Sequence, residues 1–337
     1  MTSTAKGSPD DGPRAPPCDD DPVPADTLPH PAPARAVRPL TRVRSALAGA
    51  LLTRVAGPEP SQARNAIHAA PGPRWFDPDS AIGRVHGDAS MFPGGVRALL
   101  LQSLHPRAMA GVAGHSNYRQ DPWGRLQRTA TFLATTTFGP ADDARTAVEV
   151  VKAVHRRVRG VTADGEPYDA TDPHLLRWIH VAEVDSFLVA HQRYGRAPLD
   201  AAGCDEYVRQ AAVVGGLLGA TDLPVTVAEL RQQIEDYRPE LRPTPAAREA
   251  AHFLLREPPL PRALVPAYGL IMSAGVALLP RWTREPLGLP DRPRLEAAAV
   301  RPLGRAVTGT IRWALDSVPT AEPPGPLVLV APDRASA

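Results

Sequence analysis

The chain has 337 residues, enough for one large domain or two small ones. Its 38 basic and 36 acidic residues nearly cancel, so it lacks the basic excess typical of nucleic-acid-binding proteins. Its two cysteines, Cys18 and Cys204, are too few for a four-cysteine zinc site or an iron–sulfur cluster held by four cysteines. A disulfide is not expected, which fits a reducing cytoplasm.

The first 40 residues are rich in proline and aspartate and lack the apolar stretch of a secretion signal. Such a composition buries too little apolar surface to fold, so we predict a disordered tail over residues 1–40 and a cytoplasmic protein. No shift of composition within 60–318 marks a domain boundary, and we predict one helical domain over 41–320. Residues 321–337 form a predicted C-terminal tail.

The body of the chain shows helical periodicity almost throughout. The predicted helices are 43–57, 78–88, 94–116 with a break at His105-Pro106, 121–138, 141–160, 172–195, 203–219, 226–237, 245–256, 264–279 and 293–316. Strand signals are nearly absent, since 326–332 is short and terminal, so the predicted fold class is all-α with several helices in a single domain. The apolar run 264–280 contains Pro266 and is too short to span a bilayer, which predicts a buried core helix. Contact with a membrane surface stays open.

His155 lies on the apolar stripe of the helix at 141–160, with Val151, Val154 and Val158. A histidine there loses water and needs a partner. One interpretation is a core histidine bonded to a carbonyl or a carboxylate. The other is a ligand of a metal or of haem iron, because neutral imidazole is a common metal ligand.

His180 lies on the apolar side of the following helix, three residues before Glu183. The pair can form a hydrogen bond on the helix surface, or His180, like His155, can be a ligand of a metal or of haem iron. Two further histidines have structural interpretations: His105 precedes a proline and marks a helix break, and His115 opens a polar turn and can act as a cap.

The segment 121–139 (DPWGRLQRTATFLATTTFG) places Arg125 and Thr129 four residues apart on one helix face, beside Arg128. Haem propionates need arginines or hydroxyls at a pocket rim, and these three residues meet that need. In the alternative interpretation the arginines are solvated and Thr129 bonds to its own helix backbone. No nucleophile-elbow, zinc-protease, phosphate-loop or dinucleotide-binding motif occurs, and the reversed His180-x-x-Glu183 is weak evidence for a di-iron site. A haem held by one histidine remains compatible with the residues.

The segment RALLLQSLHPRAMAGVAGHSNYRQDPWGRLQRTATFLATTTFG resembles the signature region of the mpaB-type oxygenases, a family that includes the latex clearing proteins, which are rubber oxygenases. The similarity continues through VHRRVRG, through YDATDPHLLRWIHVAEVDSFLVAHQRYG and into ALLPRWTREPLGL. It covers about residues 74 to 315.

The resemblance implies an all-helical domain that holds one haem b, with its iron, between helices. It maps an Arg-x-x-Lys-Thr motif onto Arg125, Arg128 and Thr129, and it implies His155 as the proximal iron ligand and His180 as a second residue near the cofactor. Arg128 replaces the lysine. Since arginine does not act as an iron ligand, the distal side is expected to be open, water-bound or gated differently, with Arg125 and Arg128 as the catalytic residues.

The function hypothesis is therefore a haem b-dependent oxygenase. Its expected partners are dioxygen and a hydrophobic small molecule, with oxidative cleavage of a carbon–carbon double bond as the expected reaction. Solid rubber is not an expected substrate of an intracellular protein. Two alternatives remain: a non-catalytic haem protein that acts as a sensor or redox carrier, and a cofactor-free helical interaction protein.

Overall fold

The computed structural model describes residues 39–320, 323 and 325–332. The predicted tail 1–40 lies outside the described residues except at its end, where helix α1 begins at Pro39. The elements that follow in chain order are α1 Pro39–Ala56, α2 Pro60–His68, α3 Ala81–His86, α4 Met91–Gln102, α5 Pro106–His115, α6 Pro122–Phe138, α7 Ala141–His155, β1 Arg159–Val161, β2 Pro167–Asp169, α8 Pro173–Tyr194, α9 Ala201–Leu217, α10 Val227–Tyr237, α11 Pro245–Arg256, α12 Val265–Leu278, α13 Arg281–Arg284, α14 Pro293–Leu295 and α15 Arg301–Leu315.

The all-α prediction is confirmed, since 67% of the described residues are helical. Within the described residues the sheet consists of β1 and β2, an antiparallel pair with Gly160 opposite Tyr168. The prediction that the helix beginning at residue 141 continues to Gly160 is wrong. The helix ends at His155, and the chain turns into β1 through residues 156–158. The hairpin closes at Gly165, whose φ of +87° favours glycine.

Short polar residues start several of the helices. Asp121, Asp172 and Asp200 each accept a hydrogen bond from a backbone N–H in the first turn of α6, α8 and α9. These caps satisfy donors that have no partner inside the helix, and proline in the first turn needs none. The Asp-Pro signals at 121–122 and 172–173 therefore placed two helix starts within one residue.

The predicted break at His105-Pro106 is confirmed. It separates α4 from α5, with His105 in an extended conformation at the start of α5. A proline disfavours helical geometry in the residue before it, so the chain changes direction there. His105 itself is 2% exposed, so the break lies inside the protein.

Helix α8 is the central element and packs most extensively against α4. One apolar cluster joins α8 to α3, α7, α9 and α10, and includes Val148, Val184 and Phe187. A second cluster joins it to α4, α5, α11 and α12, and includes Leu101 and Trp178. Both clusters contact α8, which explains why it buries residues around most of its circumference.

In its described residues, the segment predicted as a C-terminal tail contacts the helical domain near Arg74. The backbone N–H of Arg74 donates to Val328 O, and the N–H of Val330 donates to Arg74 O. The buried Arg74 side chain donates to Phe138 O at 2.6 Å and His68 O at 2.9 Å, so it satisfies carbonyls at the ends of α6 and α2.

The apolar run at 264–280 forms α12, whose second half is buried as predicted. Its first half is more open, with Val265 41% exposed. Among the helices of the described residues, none combines the length and the apolar character that crossing a bilayer requires.

Candidate haem site

Arg125 lies in the second turn of α6 and is partly buried. Its Nη1 donates to Ser116 Oγ at 3.0 Å, which is the guanidinium's one hydrogen bond within the described residues. Burial, followed by the charge of Arg128, lowers the pKa of Arg125. Several of its N–H groups thus remain available for an anion such as a propionate.

Arg128 and Thr129 lie on a more open part of α6. Arg128 is 69% exposed and contacts Asp121 Oδ2 at 3.2 Å. The exposed Thr129 hydroxyl donates to Arg125 O at 3.0 Å. These are the contacts expected from a solvated arginine and a threonine bonded to its own helix, so catalytic or cofactor roles for these two residues stay predictions.

His155 is the last residue of α7, and its Nδ1 is buried without a hydrogen-bond partner in the described part of the chain. Burial lowers the pKa of His155, so the ring is neutral at pH 7. The carbonyl or carboxylate partner of the core-histidine interpretation is not found among the described residues. Val154 was predicted to lie on the apolar stripe with His155, but its side chain is 53% exposed, so this part of the prediction is wrong.

His180 lies two turns into α8, and its Nε2 is also buried without a partner among the described residues. Burial lowers its pKa to about 4, so this ring too is neutral. Its Nδ1 faces Gly215 of α9, where a β-carbon would lie only 2.7 Å away. The close approach of α8 and α9 therefore depends on glycine at this position.

Glu183 lies one turn after His180, and burial raises its pKa to about 7. No hydrogen bond joins it to His180 in the described residues, which does not favour the surface-pair interpretation. The raised pKa means that both protonation states of the carboxyl are populated near neutral pH.

Sequence reasoning missed His86 and Tyr207, which lie near the same interior region. His86 ends α3, and its Nδ1 lies 2.8 Å from Thr137 Oγ1. Its Nε2 lies 3.4 Å from Tyr207 OH, and the pKa of Tyr207 is raised by burial and by Glu183. The available signal was the four-residue spacing from Ile82, which places His86 on the buried face of α3.

The structure thus gathers Arg125, Arg128 and Thr129 on α6 and places His155 and His180 on α7 and α8. No hydrogen bond or ion pair joins either histidine to the α6 residues in the described chain. The two unpartnered imidazole nitrogens fit a group that binds neutral histidine, as haem iron does.

Residues 83–313 match the family model described as the catalytic domain of the ER-bound oxygenase mpaB/B′ and rubber oxygenase. This match covers about two-thirds of the chain. The chain belongs to this family. The resemblance found in the sequence is therefore confirmed, and an oxygenase activity on a small molecule and dioxygen follows at the level of the family. Neither a curated protein nor a solved structure matches the chain.

Gly215 offers a test of how this oxygenase-family domain positions His180. We expect Gly215→Ala to destabilise the protein by about 1–3 kcal/mol, because the added methyl overpacks against His180 and Leu223. Gly216→Ala is the matched control, since nothing lies within 4 Å of its β-carbon. Urea unfolding midpoints measure both, and equal midpoints for the two variants would contradict the packing argument.

Glu183 offers a pH test of the same region. Its pKa is raised in the folded protein, so the contribution of Glu183 to the stability of the wild type falls as pH rises from about 4.5 through 7. Glu183→Gln does not titrate and should gain on the order of 2 kcal/mol relative to wild type between pH 5 and pH 8. His86 and His180 titrate in both proteins and cancel in the comparison. Parallel stability profiles of the haem-free proteins would show that Glu183 is not buried as described.

Proposed function

We propose that the protein is a haem b-dependent oxygenase that acts on a hydrophobic small molecule by oxidative cleavage of a carbon–carbon double bond. The observation that carries the proposal is the pair of neutral histidines, His155 and His180, each with a buried nitrogen that lacks a partner among the described residues. They lie within the matched catalytic domain of an oxygenase family.

In this proposal His155 would hold the iron through a ring nitrogen, and Arg125 would bind a propionate through its remaining N–H groups. Haem supplies the binding and activation of dioxygen. Thr129 and Arg128 are proposed to lie at the rim, where Arg128 would have to leave Asp121 to reach the cofactor.

Glu183 is proposed to accept and donate a proton beside the substrate. Its carboxyl can hold or release a proton near neutral pH, which suits acid–base work better than a carboxyl of ordinary pKa. Apolar side chains near this region, among them Phe187, Val184 and Leu133, exclude water and favour a hydrophobic substrate.

The test is spectroscopic and then kinetic. Protein produced with ample haem supply should show a Soret band, and a pyridine haemochrome assay should give about one haem per chain, as one proximal histidine implies. Oxygen uptake should follow addition of unsaturated apolar compounds, such as an oligoisoprenoid or a carotenoid. A protein without a Soret band would refute the cofactor and favour the cofactor-free interaction protein.

A second candidate is a redox haem protein without turnover. The observation that favours it is that His155 and His180 both have a buried nitrogen without a partner in the described residues, since a haem bound by both would have no position left for dioxygen. A low-spin ferric electron paramagnetic resonance spectrum that becomes high-spin in His180→Ala would support it. A high-spin spectrum in wild type would support the oxygenase.

A further inference from the structure

A second group of histidines lies on the other side of α8, beside the cluster that contains Trp178. His105 is 2% exposed, and neither of its ring nitrogens makes a hydrogen bond within the described residues. Its ring lies among aromatic side chains, with centroids 6.3 Å from Trp178 and 6.5 Å from Tyr237.

Two further ligand groups face His105. His174 Nε2 lies 2.8 and 3.0 Å from the two carboxyl oxygens of Glu240. His105 Nε2 lies 3.4 Å from Glu240 Oε2. One ligand atom from each of the three residues can be chosen so that all lie within 4.8 Å of one another.

We propose that His105, His174 and Glu240 bind one divalent transition metal ion, of which Zn²⁺ is the representative. Zinc takes imidazole and carboxylate ligands at about 2.0–2.2 Å, so ligand atoms in a tetrahedral site are about 3.3 Å apart. The 3.4 Å separation of His105 and Glu240 already matches that spacing, and the His174–Glu240 contact has to lengthen by only a few tenths of an ångström. The fourth position faces solvent, because His174 and Glu240 are 36% and 38% exposed.

Metal binding to Nε2 of His174 requires the ring proton to lie on Nδ1. Arg177 Nη2 donates to His174 Nδ1 at 3.1 Å, so the ring proton lies on Nε2, beside Glu240. Metal binding at Nε2 would move that proton to Nδ1, and the hydrogen bond from Arg177 Nη2 would have to break. Nδ1–H would then donate to the hydroxyl of Tyr237, at 3.4 Å, which itself donates to His174 O at 2.7 Å.

The nearby arginines do not hydrogen-bond the carboxyl oxygens of Glu240. Arg107 Nη1 contacts Asp172 at 3.2 Å, and Arg177 Nη1 contacts Asp222 at 3.1 Å. Arg107 Nη2 forms a long ion pair with Glu240 at 3.8 Å, beyond hydrogen-bond distance. Glu240 therefore shares the charge of Arg107 with Asp172 and keeps its oxygens available to a metal ion.

The three ligands come from distant parts of the chain: the junction of α4 and α5, the first turn of α8 and the short 3₁₀ turn Arg238–Glu240 after α10. A metal here links these segments and stabilises the folded state, because the unfolded chain offers no preformed site. The inference does not depend on the proposed haem.

The test uses the full chain as purified, dialysed against a chelator and then against micromolar Zn²⁺. We expect one zinc per chain by elemental analysis and a thermal midpoint that rises with zinc. His174→Gln and Glu240→Gln should each weaken zinc binding at least about ten-fold and abolish the rise. Both side chains are partly exposed, so these variants are expected to fold, whereas a His105 variant tests burial as well.

His252→Gln is the matched control. His252 Nδ1 lies 3.0 Å from Glu257, an exposed histidine–glutamate pair that is not part of the three-ligand group. It should bind zinc as wild type does. Equal binding by all four proteins would mean adventitious surface zinc, and no zinc in wild type would also overturn the proposal. Haem content measured on His174→Gln should be unchanged, which separates this result from a failure of the haem hypothesis.

Discussion

His155→Ala should lose haem, with the haem-to-protein ratio falling on the order of ten-fold or more because the axial bond to iron is removed. The folded chain itself should be little affected. No hydrogen bond to the His155 side chain exists in the described residues, so its removal leaves no orphaned partner. We therefore expect the free energy of unfolding of the haem-free variant to stay within about 1 kcal/mol of that of the haem-free wild type.

The combination of the two measurements distinguishes the interpretations. His252→Ala, at an exposed histidine far along the chain, is the control and should keep full haem. A His155→Ala protein with full haem occupancy would refute the ligand assignment. His180→Ala would then be the variant expected to lose haem, because the family resemblance places His180 near the cofactor and its Nε2 is also buried without a partner in the described residues.

The order and the starts of the helices could be predicted because they depend on local chemistry. Asp-Pro pairs cap a helix whatever lies around it, and His105-Pro106 interrupts a helix for steric reasons that are contained in the dipeptide. The end of α7 could not be predicted in the same way. Gly160 was interpreted as a helix stop, but it pairs with Tyr168 in the hairpin, a contact made only after the chain has turned.

The candidate site was predictable in part. The family resemblance and the apolar stripes identified His155 and His180, and both prove to have a buried nitrogen without a partner in the described residues. The sequence did not show that Arg128 forms an ion pair with Asp121. This ion pair competes with any contact between Arg128 and a cofactor in the interior. His105 was interpreted only as a helix break, because its neighbours His174 and Glu240 are more than 60 positions away in the sequence.

The buried ion pair between α4 and α8 has the largest expected effect on stability. Arg97 is 3% exposed, and its Nη2 contacts Asp185 Oδ2 at 2.5 Å. Arg97 Nη1 donates to Ser186 Oγ at 2.6 Å, and Arg97 Nε donates to Leu278 O at 2.9 Å. Arg97→Met should destabilise the protein by about 3–5 kcal/mol, because it leaves the Asp185 carboxylate buried without its cation.

A double variant tests whether that cost comes from the unpaired charge. Arg97→Met combined with Asp185→Leu should be less destabilised than Arg97→Met alone, because replacing both charges removes the need to solvate either one. Arg209→Met is the surface control. Its partner Glu206 is exposed, so the change should cost less than about 1 kcal/mol. If the double variant were as unstable as the sum of the single variants, the pair would contribute through packing rather than through charge. Helix α8 would then be stabilised against α4 by side-chain packing and not by this pair of charges.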